Sequence, residues 1–148
     1  MKGVKREKVV VPILIILVAL IIGTSGILTA RNPFISPSVV SNTLGGKWSV
    51  QSFYMGNNTV TETLYDSSGD VLVITEYSFS TPSQALNFIY ANQLNNPQMF
   101  EGYLVSYYSH GLIESAYILD GSHVFYVSYV GSVSTNLPSL AQLINLIK

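Results

Sequence analysis

The chain has 148 residues and a formal net charge of −1, and only 10% of its residues are charged. It contains no cysteine, which excludes a disulfide framework and zinc sites of the usual Cys/His type. After residue 30, three cationic side chains accompany seven anionic ones. This part therefore lacks the basic footprint of a nucleic-acid-binding protein, and no nucleic acid is expected as a partner.

A charge-free run of 22 residues, 9–30, follows the basic cluster Lys2, Lys5, Arg6 and Lys8. At about 1.5 Å per residue, a helix of this length crosses a bilayer core of about 30 Å. Cationic flanks stay in the cytoplasm. The sequence therefore predicts a cytoplasmic basic stub at 1–8 and a single transmembrane helix, or signal anchor, at 9–30. The rest of the chain is expected outside the cell membrane.

A cleaved signal peptide is the alternative to a retained anchor. The apolar heart at 9–22 has a length typical of a signal peptide, and small residues follow at 23–26. The chain lacks an Ala-x-Ala cleavage motif before Arg31, because Leu28 occupies the first of the two alanine positions. Retention is the favoured prediction, and the domain is secreted if cleavage occurs.

Hydroxyl and amide side chains replace charge after Gly46, and all ten tyrosines lie in this part. Such groups stay hydrated without titrating, whereas carboxylates become neutral as the pH falls towards about 4. The composition resembles that of extracytoplasmic proteins of thermoacidophilic archaea. The alternative explanation is that tyrosine, threonine and valine are good strand residues.

Residues 31–46 are predicted to be a spacer, because they contain Pro33, Pro37 and the pair Gly45 and Gly46. One helical turn is expected at 39–44. The spacer leads to an extracytoplasmic domain at 47–148, a length that suits a single domain.

Aromatic and β-branched residues predict three strands at 48–55, 60–65 and 71–79. Turn residues separate these strands at 56–58 and 66–70. A helix is then expected, with Thr81 as its N-cap, Pro82 at its first position and Gln84 completing a capping box. It should end near residue 93 or 94, before Pro97.

The second half repeats this order, with strands predicted at 103–108, 112–119 and 123–130 and a helix at 138–148. Residues 69–77 align with 121–129, which indicates two βββα units that are either duplicated or share a pattern. Short connections join antiparallel neighbours. The predicted fold class is α+β, an antiparallel sheet of about six strands with two helices on one face.

Few residues could carry catalysis. His110 and His123 are the only histidines, and each has a carboxylate close in sequence, Glu114 and Asp120 respectively. The chain has no nucleophile elbow, Walker loop or dinucleotide fingerprint. No metal, no cofactor and no enzymatic activity are therefore predicted.

One distant alternative to this prediction is a hydrolase that uses two carboxylates. Glu62 and Glu76 lie on neighbouring predicted strands and could face each other as such a pair.

The predicted strands carry apolar residues on both sides, so the sheet either encloses a cavity or meets a partner. The favoured function is a membrane-anchored, non-catalytic binding or assembly module, an accessory subunit of a cell-envelope or membrane complex with a protein partner. Aromatic residues suit interfaces. The interface candidates are Tyr103, Tyr107, Tyr117, Tyr126 and Tyr129.

The second functional prediction is a membrane-tethered carrier of a small apolar or glycan ligand, held in a cavity lined by the sheet. A separate prediction concerns modification. Asn57 begins the chain's one glycosylation sequon, Asn-Asn-Thr, in a predicted turn.

Overall fold

The computed structural model describes residues 34–133 and 136–148. The predicted anchor at 9–30 lies outside these residues, and within them no helix has the length and apolar character needed to cross a membrane. The described helices are α1 (Pro37–Leu44), α2 (Pro82–Ala91) and α3 (Leu140–Asn145). The strands are β1 (Trp48–Met55), β2 (Thr59–Asp66), β3 (Val71–Ser78), β4 (Gln98–Phe100), β5 (Tyr103–His110), β6 (Ile113–Asp120) and β7 (His123–Val130).

All seven strands form one antiparallel sheet in the order β1-β2-β3-β7-β6-β5-β4. The predicted α+β class and the antiparallel pairing of consecutive strands are confirmed, and this pairing gives two meanders, β1-β2-β3 and β5-β6-β7. The prediction of about six strands missed β4, which has only three residues and carries no alternation to detect. β3 and β7 pair at the centre of the sheet, where the two meanders meet.

Two hairpins explain why the second meander was predictable from sequence. Only two residues connect β5 to β6 and β6 to β7, and the first of each pair is a glycine with positive φ, Gly111 at 60° and Gly121 at 59°. Glycine adopts this conformation without steric cost, as type II′ hairpin turns require. The strand boundaries on both sides follow from these turns.

β1 contains a bulge that the predicted alternation did not include. The register with β2 shifts between Val50 and Ser52, so Val50 pairs with Leu64 whereas Phe53 pairs with Glu62. Leu64 and Glu62 point to the same face because they are two residues apart on one strand. Phe53 therefore shares a face with Val50, which simple alternation along β1 had placed opposite.

α1 and α3 pack on one face of the sheet, which we call the front face. Ser36 caps α1 by accepting a hydrogen bond from the backbone N–H of Val39, and Ser139 caps α3 in a full capping box with Gln142. Residues 34–44, predicted as a spacer, thus contribute to the core, with Ile35 and Val40 buried. The largest core cluster lies here and includes Trp48, Leu64, Leu72, Ile74, Val127, Leu143 and Ile144.

α2 packs on the opposite face, which we call the back face. Its residues Ala85 and Ile89 are buried against Tyr117, Val124 and Tyr126 of β6 and β7. The prediction that both major helices lie on one face is therefore wrong. Because helices cover both faces of the sheet, the strands carry apolar residues on both of their faces.

The two halves of the domain repeat the order of their elements, but matched side chains do not lie on the same face of the sheet. The sequence match pairs Ile74 with Tyr126, yet Ile74 belongs to the front-face cluster and Tyr126 to the back-face cluster. The matched Tyr77 and Tyr129 likewise lie on opposite faces, and each packs in the cluster of the helix that follows its own strand. The order βββα recurs, with β4 inserted before the second unit.

Candidate functional site

A pocket of about 440 Å³ opens at the edge of the sheet between β4, β5 and α3. We call it the amide pocket, because three of its side chains are carboxamides. Its lining residues are Asn95, Asn96, Gln98, Met99, Phe100, Val105, Tyr107 and Leu140. This volume lies within the range of small-molecule sites.

The loop after α2 is fixed to β5 by one hydroxyl group. Ser106 is fully buried, and its Oγ accepts hydrogen bonds from the backbone N–H groups of Leu94 at 2.8 Å and Asn95 at 3.1 Å. The same Oγ lies 2.7 Å from the carbonyl oxygen of Asn95 and donates to it. The Asn95 side chain donates from Nδ2 to the carbonyl of Tyr107 at 2.7 Å. The loop is therefore held rigidly before any ligand arrives.

The shortness of β4 creates the opening. β4 pairs only with residues Tyr103, Leu104 and Val105, while β5 continues to His110. The carboxamides of Asn96 and Gln98 form no hydrogen bond to another residue in the described ranges and are available to a ligand. Phe100 is exposed on the same face as Gln98, whereas Met99, which pairs with Leu104, is exposed on the opposite face.

Tyr107 forms an uncharged aromatic wall of the pocket. Its hydroxyl donates to Glu114, which is buried and also accepts from Ser109 Oγ at 2.7 Å. Burial and the hydrogen bond to Glu114 raise the pKa of Tyr107 to about 12. The ring is thus neutral and held in one orientation across the physiological range.

The lining residues include no carboxylate, no cation and no histidine. Carboxamides both donate and accept hydrogen bonds, and aromatic rings offer apolar faces. The pocket is suited to an uncharged ligand rich in hydroxyl or amide groups.

The five tyrosines predicted as an interface do not share one surface. Tyr103 and Tyr107 are half-buried on the front face, and Tyr129 is buried there. Tyr117 and Tyr126 are buried on the back face with ring centroids 4.7 Å apart. Of the five, only Tyr107 lines the amide pocket.

The histidines have partners other than those the sequence suggested. His123 Nδ1 lies 2.8 Å from a Glu76 oxygen and 3.3 Å from Ser78 Oγ, whereas His110 packs beside the ring of Tyr108. Among the residues that the structure describes, no group of three or more His, Asp or Glu side chains could hold a metal ion.

Glu62 lies directly opposite Ile74 of β3 and not opposite Glu76, the carboxylate that the sequence suggested it could face. It lies on the front face and is fully buried, with Oε2 accepting a hydrogen bond from the backbone N–H of Ile35 at 2.6 Å. Oε1 has no hydrogen-bond partner in the described part of the chain. Burial raises the pKa of Glu62 to about 7, against the lowering effect of the Ile35 bond. The sequence contained a signal for this burial. Val60, Glu62 and Leu64 lie two positions apart, so Glu62 shares one face of its strand with two apolar residues.

Asn57 lies exposed in the turn between β1 and β2. The turn is closed by a hydrogen bond of 2.7 Å from the backbone N–H of Gly56 to the carbonyl of Thr59. The predicted modification site is therefore accessible.

Comparison with known proteins returned no relationship: no protein-family model, no curated protein and no solved structure matches this chain.

Proposed function

We propose that this protein is a membrane-tethered, non-catalytic binding module outside the cell, and that the amide pocket receives an uncharged, hydroxyl-rich ligand such as a neutral glycan. The observation that carries the proposal is the pocket itself: three carboxamides and two aromatic rings around about 440 Å³, without an ionisable group at neutral pH. The tether and the orientation come from the N-terminal sequence pattern.

The chemistry of the lining favours hydroxyl groups over charged ligands. A charged ligand would lose its hydration without gaining an opposite charge among the lining residues. A hydroxyl group can exchange its water for the carboxamides of Asn96 and Gln98, while a sugar ring covers Phe100 or Tyr107. The rigid loop at Asn95 lowers the entropy cost of binding.

The test is ligand-observed NMR with the full chain in detergent micelles. The probes are neutral gluco-, manno- and galacto-oligosaccharides, with uncharged hexapeptides as the comparison. We expect saturation transfer to at least one oligosaccharide, lost in Gln98→Ala and Asn96→Ala. Gln51→Ala is the matched control, because Gln51 is an exposed carboxamide residue on β1 at the other edge of the sheet. Transfer that survives both pocket variants, or its absence for every sugar, contradicts the proposal.

A second candidate is assembly with a protein partner through the β4 edge. Met99 is 67% exposed and Phe100 38%, and both belong to a three-residue edge strand. Exposed edges and aromatic residues are features of strand addition and of interfaces. Native mass spectrometry of the protein extracted from its own membranes separates the two functions. A stoichiometric protein partner that is lost in Met99→Ser supports assembly, whereas a retained small molecule supports the ligand pocket.

A further inference from the structure

Glu62 is a carboxyl group enclosed by the front-face core. Its side chain is fully buried, and its strand neighbours Phe53 on β1 and Ile74 on β3 are apolar. A buried carboxylate normally needs several donors to replace its water. Glu62 has one, the backbone N–H of Ile35, and its Oε1 is unpartnered among the described residues. This environment stabilises the neutral carboxylic acid of Glu62 relative to its carboxylate anion.

Ile35 belongs to the chain segment that enters the domain. Phe34 stacks on Phe125 with ring centroids 6.4 Å apart, and Ser36 caps α1. At the other end of α1, Trp48 Nε1 donates to the carbonyl of Gly45 at 2.7 Å. We call residues 34–46 the strap. Glu62 provides the one side-chain acceptor on the sheet for a backbone N–H of the strap among the described contacts.

We propose that Glu62 is a pH-operated latch: its neutral carboxyl group holds the strap against the sheet, and its ionisation releases the strap. In the neutral state the carboxyl group accepts from Ile35 and stays dry. Ionisation places an anion in an apolar core with one donor, and opening the strap admits the water that the anion requires.

The other titratable groups do not supply the counter-charge. The 34–35 segment, α1 and α3 contain no titratable side chain, and β1 contributes only Tyr54, which the bulge turns to the back face. On β3, Glu76 is already paired with His123 of β7 at 2.8 Å. The remaining front-face groups are Asp66, Asp70, Glu114, Asp120, Tyr103, Tyr107 and Tyr129, all acidic or neutral, and Lys47, the cation that follows the strap, is exposed.

Release would change how far the domain extends from its N-terminal side. Residues 34–46, once extended, span at most about 45 Å. This consequence rests on the proposed membrane tether, but the latch itself does not. When the exterior is acidic, the strap stays docked on the sheet. When the pH rises towards neutral, the strap is released and can extend.

Trp48 is the chain's single tryptophan and reports on the strap directly. The experiment follows Trp48 fluorescence of the full chain in detergent micelles from roughly pH 4 to pH 9. We expect a red shift as the pH rises from 4.5 to about 7, the interval in which ionisation of Glu62 weakens docking of the strap, while the far-UV signal of the sheet stays constant. Glu62→Gln keeps the size and the acceptor oxygen but cannot ionise, and should abolish the transition.

Two control variants complete the test. Glu114→Gln changes the other buried glutamate and should keep the transition, as should His123→Asn, which removes the ion pair on the same face. A transition that persists in Glu62→Gln, or one that disappears in His123→Asn, overturns the proposal. Simultaneous loss of the sheet signal also overturns it, because that result means global unfolding.

Limited proteolysis of the unmodified chain gives an independent readout. We expect chymotrypsin to cleave after Phe34 or Leu44 about ten times faster one pH unit above the midpoint of the red shift than one unit below, relative to an unfolded peptide substrate. Equal relative rates contradict the latch, whatever the folding of the variants.

Discussion

The hydroxyl group of Tyr129 donates a hydrogen bond of 2.7 Å to Asp70, which lies 59 residues earlier in the chain. Asp70 also accepts from Ser132, at 2.6 Å from its backbone N–H and 2.8 Å from its Oγ. The turn before β3 is thereby fastened to the segment that leaves β7. Burial raises the pKa of Asp70, but the bonds from Ser132 and Tyr129 outweigh that effect, and the pKa lies below its usual value.

Replacing Tyr129 by Phe should destabilise the fold by roughly 1.5–3 kcal/mol, the usual net value of a hydrogen bond to a charged group, because Asp70 is ionised at neutral pH. The ring and its packing against Trp48 remain, so the loss reports the hydroxyl alone. Urea unfolding at neutral pH measures it. Combining Tyr129→Phe with Asp70→Asn should cost less than the sum of the two single losses, since both remove the same bond. Strict additivity would show that the bond is not formed.

Asp70 and Glu62 should give opposite dependences of stability on pH. The pKa of Asp70 is lowered by folding, so its contribution is present above the unfolded value of 3.8 and is lost as the pH falls below it. The pKa of Glu62 is raised from 4.5 to about 7, so its contribution is complete below 4.5 and is lost as the pH rises to about 7.

The loss due to Glu62 amounts to about 1.4 kcal/mol per pH unit between those two values. The measurement is the free energy of unfolding in denaturant at several pH values. Glu62→Gln should flatten the curve above pH 4.5 and leave the acid loss from Asp70 in place. If the free energy of unfolding of Glu62→Gln varies with pH in the same way as that of the unmodified chain, another group causes the pH dependence.

The neighbouring residues Val39 and Val40 test whether α1 is part of the core. Val40 is fully buried, whereas Val39 is 42% exposed. Val40→Ala should cost roughly 1–3 kcal/mol through lost contacts and the cavity left behind. Val39→Ala on the same helix should change stability by less than about 0.5 kcal/mol. Similar small effects for both would mean that α1 does not pack on the sheet in solution.

Ile89 and Leu86 form a matched pair on α2. Ile89 is fully buried against the back face, and Leu86 is 37% exposed. We expect Ile89→Ala to cost about 2–5 kcal/mol and Leu86→Ala much less. Thermal or denaturant unfolding of both variants gives the comparison. The reverse order would place a different side of α2 against the sheet.

The exposed Asn57 should carry a glycan if the chain matures outside the cell in an organism with N-glycosylation. Peptide mass spectrometry of the protein purified from its own membranes should show the peptide with Asn57 heavier by whole sugar units. Thr59→Ala, which destroys the sequon and keeps Asn57, should return that peptide to its unmodified mass. Finding only the unmodified peptide in the native protein contradicts the prediction.

The elements themselves were predictable where local chemistry determines them. β1 and β7 have the predicted limits, and Thr81 caps α2 as expected, by accepting from the N–H of Gln84 at 3.3 Å. Both α2 and α3 are shorter than predicted. α2 ends at Ala91, and α3 runs only from Leu140 to Asn145. Of the three helix starts, only that of α2 was predicted to the residue, because α1 begins at Pro37 and α3 at Leu140 and not at the predicted 39 and 138.

The candidate site was less predictable. Asn95, Asn96 and Gln98 sit in a polar stretch that reads as an ordinary loop, and only the contacts to Ser106 and Tyr107 turn it into one wall of a pocket. Tyr117, Tyr126 and Tyr129 looked like exposed aromatic residues, because nothing local indicated that α2 would cover one face and α1 with α3 the other.

By itself, then, the sequence determined the antiparallel meanders, the turn glycines, the capped start of α2 and the uncharged surface chemistry, since each depends on residues a few positions apart. Tertiary structure decided which face each helix covers, where β1 bulges, that β4 joins the edge, and that Glu62 is buried under the strap. These outcomes depend on how separate elements pack and pair, in some cases between distant residues such as Ile35 and Glu62, 27 positions apart, and no local preference specifies them.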